Sequence, residues 1–309
     1  MIGERKSLLG IRELEPEEIL EILDHAEPFK EVQSRSIKKV PTLRGVTVAN
    51  LFFENSTRTR SSFELAEKRL SADVLNFSVS TSSVTKGESL RDTARNIEAM
   101  NVNMIVMRHR GEGACHFLDR HVRARVINAG DGQHEHPTQA LLDASTLREI
   151  FGKIEGLRVV ILGDITHSRV ARSNIFLLEK LGAKVTVCGP PTMLPPEIEK
   201  LGVVRTSDIR GALRKADAVN VLRIQFERQN EPLIPSVREY ASYFGITAEK
   251  LAELPAGMTV LHPGPMNRGT EIAHDVAEAH SDTILRQVTN GVAVRMAVLY
   301  LLSGGGTVN

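Results

Sequence analysis

The sequence predicts an α/β protein of two doubly wound domains, each a parallel sheet flanked by helices. Three observations carry this prediction. The chain has 309 residues, more than one compact core commonly holds and comfortable for two. Short apolar β-rich runs alternate with amphipathic helical runs from about residue 45 onward, the pattern of βαβ units. The alternation comes in two series, separated at Gly152-Lys153-Ile154-Glu155-Gly156.

In the first series Val46–Phe53 reads as a buried strand, and Phe63, Ala66 and Leu70 then recur at helical spacing. Val74–Val79 is a strand. Glu88–Met100 is a helix with Leu90, Ala94 and Ile97 on one face, and Met104–Arg108 and Arg125–Asn128 are further short strands. Residues 137–151 form a helix that bridges to the second series. There Arg158–Leu162 is a strand, Val170–Leu181 a helix closed by Gly182, and Lys184–Cys188, Ala218–Leu222 and Met258–Leu261 are strands. The last helix, Gly291–Leu302, is strongly apolar, and the Ser303–Asn309 tail is expected to fray.

Composition narrows the function classes. A formal net charge of +1 argues against general affinity for nucleic acid or anionic membrane. No apolar run approaches the roughly 20 residues of a membrane span. The N-terminus, Met1-Ile2-Gly3-Glu4-Arg5-Lys6, runs into acidic sequence without the apolar stretch of a signal peptide. Cys115 and Cys188 stand far apart with no CxxC or Cys/His finger spacing, as expected for buried thiols in a reducing compartment. The expected location is the cytoplasm.

Open parallel sheets gather ligands at the carboxyl ends of their strands, which selects the loops to read. Asn55-Ser56-Thr57-Arg58-Thr59-Arg60 lies directly between a strand and a helix. Helix starts carry unpaired N–H groups and a positive dipole end, and guanidinium forks match phosphate oxygens in pairs. A helix N-cap explains one hydroxyl; it does not explain Ser-Thr-Arg-Thr-Arg. Neither GxxxxGK[ST] nor GxGxxG is present, so ATP and dinucleotide ligands lack their usual support. His134-Glu135-His136 raises the question of a metal. No further ligand set appears at metal spacing, and no metal or organic cofactor is expected.

From about Leu43 to Tyr300, the chain resembles the aspartate/ornithine carbamoyltransferase family. The resemblance rests on Ser56-Thr57-Arg58-Thr59-Arg60, His136-Pro137-Thr138-Gln139 and His262-Pro263-Gly264-Pro265. It implies a transferase that passes a carbamoyl group from carbamoyl phosphate to L-aspartate in pyrimidine synthesis. The implied domains are residues 1–137 with 290–309 for carbamoyl phosphate, and 138–289 for aspartate, with 138–151 as the linking helix. Ser56, Thr57, Arg58, Thr59 and Arg108 would hold the phosphate end. His136 would donate to the carbamoyl oxygen, where negative charge develops, and Gln139, Gly264 and Pro265 would hold the rest of that substrate. Ser82 and Lys86 match a loop that the family inserts into a neighbouring subunit's site, which implies a homotrimer with shared sites. Arg169 would bind the acceptor's α-carboxylate, Arg223 and Gln225 its side-chain carboxylate, and Lys86 would also contact the aspartate. Arg58, Lys86, Arg108 and His136 form the implied catalytic set.

The aspartate branch is favoured on two grounds. Ornithine enzymes typically carry His-Cys-Leu-Pro where this chain has His262-Pro263-Gly264-Pro265, and an ornithine ammonium would want an acidic group where these loops offer arginines. Well-known aspartate enzymes have Leu-Pro where this chain has Gly264-Pro265. A regulatory chain or a dihydroorotase is the further partner class that the resemblance leaves open.

Overall fold

The computed structural model describes residues 1–78, 89–225, 233–254 and 257–304. It divides into two compact units, Met1–Ser145 with Thr289–Asn309, and Thr146–Val288. No described helix is long and apolar enough to cross a membrane.

The first unit runs α1 (Pro16–Ser34), β1 (Thr47–Phe52), α2 (Thr57–Arg69), β2 (Asp73–Ser78), α3 (Leu90–Glu98), β3 (Met104–His109), α4 (Ala114–Asp119) and β4 (Arg125–Asp131). Proline at the first position of α1 suits a helix start. Its buried face (Ile19, Ile22, Leu23, Ala26, Phe29) has the three-to-four spacing of an amphipathic helix. The four strands are parallel in the order β2-β1-β3-β4. Both faces of such a sheet are covered, so its strands are near-continuously apolar: Met104, Ile105, Val106 and Met107 are all buried. One face packs Ala49, Leu51, Ile105 and Met107 against Ala94 and Ile97 of α3 and Cys115 and Leu118 of α4.

The chain leaves this unit inside α5 (Pro137–Phe151). The second unit continues with β5 (Arg158–Leu162), α6 (Arg169–Lys180), β6 (Lys184–Cys188), β7 (Val204–Thr206), α7 (Ile209–Leu213), β8 (Ala218–Val221), α8 (Val237–Phe244), α9 (Ala248–Ala252), β9 (Thr259–Leu261) and α10 (His274–Ala279). Its sheet is parallel in the order β7-β6-β5-β8-β9. Val160, Leu162, Val219, Val221 and Val260 pack there with Leu213, Ile246 and Val276. The chain returns to the first unit within α11 (Ser281–Leu302).

Several elements differ from the sequence expectation. The final helix starts at Ser281, because its polar first turns hide the periodicity that Gly291–Leu302 displays. The helix expected over 88–100 is shorter, and Ser89 caps it by accepting from the Asp92 amide. The short α4 and the edge strand β7 carry too little periodic sequence to be read in advance; Val204 is largely exposed. Cys115 and Cys188 are both buried, as expected. Burial pushes the Cys188 thiol up to about 12, which leaves it inert.

Candidate active site

In both units some of the expected ligand residues lie at the ends of the strands that flank the point where the strand order reverses, and His136, Gln139, Gly264 and Pro265 follow the strands next to these. In the first unit the chain turns one way after β1 and the other after β3, so the crevice lies at their carboxyl ends. Ser56–Arg60 follow β1 and Arg108 is in β3. Phe52 pairs in register with Arg108, and the Phe53 amide donates to the Arg108 carbonyl at 2.8 Å. The two loops are therefore anchored side by side.

Ser56 occupies the N-cap position of α2, yet its side chain makes no capping hydrogen bond. The serines or threonines that cap α3, α6, α8 and α9, by contrast, each accept from a backbone amide of their own helix. The open N-terminus of α2 thus keeps its first N–H groups for an external acceptor. Arg58 is exposed and makes no hydrogen bond or ion pair with any described residue. Thr59 is buried and Ser56 half-buried. A helix end without a side-chain cap, with hydroxyls and an exposed guanidinium that has no partner among the described residues, can hold a phosphate.

Arg108 is held differently. Its Nε donates to Glu54 Oε2 at 3.1 Å and its Nη1 to the Ala129 carbonyl at 3.3 Å. These contacts fix the guanidinium at the end of β3 and link it to the ends of β1 and β4. Glu54 was not among the expected site residues. Its position directly before Asn55-Ser56 was the available signal, although a lone acidic residue beside an anion motif has no obvious role until its arginine partner is known.

His136 is 4% exposed and precedes Pro137 at the start of α5; its carbonyl accepts from the Gln139 amide at 3.0 Å. Gln139 Nε2 donates to Asp143 Oδ1, one turn along α5, at 3.0 Å. This leaves the Gln139 side-chain oxygen fixed in direction. Glu135 is buried and turned away from His136, its carboxylate accepting from the Ile11 amide at 2.7 Å and the Arg12 amide at 3.2 Å. It is a clamp on the N-terminal segment.

The second unit repeats the switch-point logic with β5 and β8. Gly163 opens the turn after β5 at φ +129, and a Cβ there would stand 3.2 Å from Leu222 and from the Tyr240 hydroxyl, so only glycine fits without strain. Asp164 then accepts from the His167 backbone and ring, the Nδ1 at 2.9 Å. Arg169 begins α6 and is 2% exposed. Arg223 and Gln225, half-buried, lie just past β8.

Gly264 and Pro265 belong to the second unit, beyond β9, and their peptide bond is cis. Gly264 has φ +63, a left-handed conformation that glycine adopts freely. Its amide donates to His262 Nδ1 at 2.8 Å. The ring's other nitrogen therefore donates to Glu271 Oε1 at 3.2 Å, inside the core. Glu271 also accepts from the Asn267 amide at 2.6 Å and so pins the whole 262–271 loop. No sequence signal marked Glu271. Ser82 and Lys86 lie outside the described residues.

The first half of the chain, residues 6–149, matches the family model for the aspartate/ornithine carbamoyltransferase carbamoyl-P binding domain. Residues 155–302 match the model for the Asp/Orn binding domain of the same family. The chain is 59% identical over 301 residues to the aspartate carbamoyltransferase catalytic subunit of Geobacter sulfurreducens, with 97% of each covered. It is 59% identical over 299 residues to that of Cytophaga hutchinsonii, again with 97% of each covered. Among solved structures, aspartate transcarbamoylase from Trypanosoma cruzi in complex with N-(phosphonacetyl)-L-aspartic acid superposes with a TM-score of 0.87 at 29% identity, covering 96% of this chain and 95% of that one. The catalytic subunit of M. jannaschii aspartate transcarbamoylase superposes with a TM-score of 0.85 at 33% identity, covering 96% and 98%.

Proposed function

The chain belongs to the aspartate/ornithine carbamoyltransferase family, and from that premise we propose that it transfers the carbamoyl group of carbamoyl phosphate to the amine of L-aspartate. The products are N-carbamoyl-L-aspartate and phosphate, a step of pyrimidine synthesis in the cytoplasm. The observation that supports the reading is the open N-terminus of α2, with Arg58 beside it exposed and without a partner among the described residues.

The chemistry needs no covalent intermediate. The aspartate amine attacks the carbamoyl carbon, the C–O bond to phosphate breaks, and the departing phosphate takes the amine's proton. The protein's task is to hold two anions against their mutual repulsion. The α2 N-terminus, Ser56, Thr57, Thr59 and Arg58 bind the phosphate, with Arg108 held in place by Glu54. His136 donates to the carbamoyl oxygen as charge gathers there. Gln139, oriented by Asp143, and the Gly264-Pro265 backbone hold the carbamoyl amide. Arg169 takes the α-carboxylate of aspartate, and Arg223 with Gln225 takes the side-chain carboxylate. Orienting two bound reactants can lower a barrier by roughly 7–11 kcal/mol.

Two guanidiniums facing the acceptor favour a dicarboxylate over ornithine, whose side-chain ammonium they would repel. Purified protein with carbamoyl phosphate and aspartate will form carbamoyl-aspartate, and ornithine will not substitute. Citrulline as the preferred product would refute the aspartate assignment.

The assembly we propose is a homotrimer in which Ser82 and Lys86 of one chain complete a neighbour's site, with a regulatory chain or a dihydroorotase as further partner classes. Mixing Lys86→Ala protein with Arg58→Ala protein will restore part of the activity through hybrid sites. No recovery, with subunit exchange demonstrated, would rule out the shared site.

A further inference from the structure

Away from the phosphate loop, the first unit gathers His116 of α4, Asp131 at the end of β4 and His134 of the following turn. One ligand atom from each lies within 4.8 Å of the other two. We propose that these three side chains form a binding site for a divalent transition-metal ion of the zinc class.

The Asp131–His134 pair has the spacing that such an ion requires. His134 Nδ1 lies 3.1 Å from Asp131 Oδ2. Two ligands at about 2.0–2.1 Å from one tetrahedral zinc stand about 3.3 Å apart, so this pair already has the spacing of neighbouring ligands. An ion replaces the proton they share. Asp131 is fully buried, and its Oδ1 accepts from Asn128 Nδ2 at 2.8 Å and from the Glu135 amide at 3.2 Å. Among the described residues its Oδ2 accepts from the Gly113 amide at 2.8 Å and otherwise only from His134, whose Nδ1 also lies 3.2 Å from Oδ1. One lone pair of Oδ2 is therefore available once that shared proton leaves.

His116 supplies the independent observation. Its Nε2 lies 2.5 Å from Glu13 Oε1, so this nitrogen carries the ring proton and the neutral ring's lone pair falls on Nδ1. That Nδ1 is buried and has no hydrogen-bond partner. A carboxylate holding one imidazole nitrogen while the other faces a metal is the usual outer-shell arrangement at zinc sites. The rings of His116 and His134 stand 5.3 Å apart, edge to face, and both side chains are partly exposed, which provides an entry route. Two neutral imidazoles and one carboxylate leave the fourth position to water. The bound ion would tie α4 to the 131–136 turn that ends at His136, making it a structural brace for that residue.

The test is calorimetric titration of the full-length, chelator-treated protein with zinc chloride. We expect one equivalent per chain, a roughly tenfold loss of affinity in Glu13→Gln, and a larger loss in His116→Asn and His134→Asn. Thermal unfolding without metal verifies that each variant is folded. Cobalt titration of the unmodified protein provides a readout that needs no variant: visible bands of a four-coordinate ion are expected. No zinc uptake, uptake undiminished in the folded histidine variants, or only the pale spectrum of hexa-aqua cobalt would overturn the proposal.

Discussion

The two strand-to-helix junctions that head α2 and α6 begin alike and are used in opposite ways. Both start with a serine after a parallel strand. Ser168 closes its helix by accepting from the Ala171 amide at 3.1 Å, whereas Ser56 makes no such bond and leaves α2 open. Arg58 stands exposed beside the open end; Arg169, at the start of the capped helix, is buried. An open dipole end with several donors suits a phosphate, whose charge is spread over several oxygens. A capped helix with individually placed guanidiniums suits a diacid, which needs one fork per carboxylate. Under the proposed function, the same local architecture would serve two ligand chemistries according to where the serine hydroxyl goes.

The largest effect expected from this contrast is at Arg58. Arg58→Ala should lower kcat by about 10²–10³-fold, the cost of losing one transition-state donor, with thermal stability unchanged, because Arg58 holds no described residue in place. Steady-state kinetics with both substrates varied will check this; a near-wild-type rate would remove the open helix end from the account. Next comes Arg223→Ala, which should raise the KM for aspartate by about 10–100-fold, the worth of one charged hydrogen-bond pair, and leave the KM for carbamoyl phosphate within a small factor. Gln139→Ala should cost about tenfold or less in kcat/KM, because it removes a neutral contact. Asp143→Asn should then reproduce part of that loss by releasing the Gln139 amide.

The last predicted difference concerns the carboxylates that the two units bury. Glu271 is supported by His262 and the Asn267 amide. Glu67, in α2, has Asn50 Nδ2 at 2.8 Å, while its Oε1 is without a partner among the described residues. Burial raises the Glu67 pKa to about 8 against the helping bond from Asn50. The folded state therefore keeps a proton that the unfolded chain releases near pH 4.5. Stability should fall as pH rises from there to about 8 and then level off. Glu67→Gln should flatten this slope, so that its stability relative to the parent is better at pH 8.5 than at pH 5, by about 4 kcal/mol for the full shift. Denaturant titrations at the two pH values measure it; parallel pH profiles would contradict a neutral Glu67.

How much of this was legible in the sequence differs between the units for physical reasons. The Ser56–Arg60 loop stood out in the sequence because it concentrates residues that no cap or turn requires, and its β1-α2 setting follows from periodicity in Val48–Phe53 and Phe63–Leu70. The parallel sheets were legible because strands buried on both faces are written as apolar runs. Arg169 and Arg223 are single residues at strand ends, and acquired meaning only from the fold and the family resemblance. Glu54, Asp143 and Glu271 were invisible because each acts by orienting another side chain, a relation set by tertiary distance. The His116–Asp131–His134 cluster escaped for the same reason: α4 brings His116 to the turn, and no spacing rule encodes that approach. Short elements such as α4 and β7 are specified by packing more than by pattern.

The division of labour between the units is tested most directly by calorimetric titration of carbamoyl phosphate into two variants side by side, Ser56→Ala/Arg58→Ala and Arg223→Ala/Gln225→Ala. The first should lose at least tenfold in affinity, and the second should bind within about twofold of the unmodified protein. Equal losses in both, or a loss confined to the second, would contradict the assignment of the phosphate to the open end of α2.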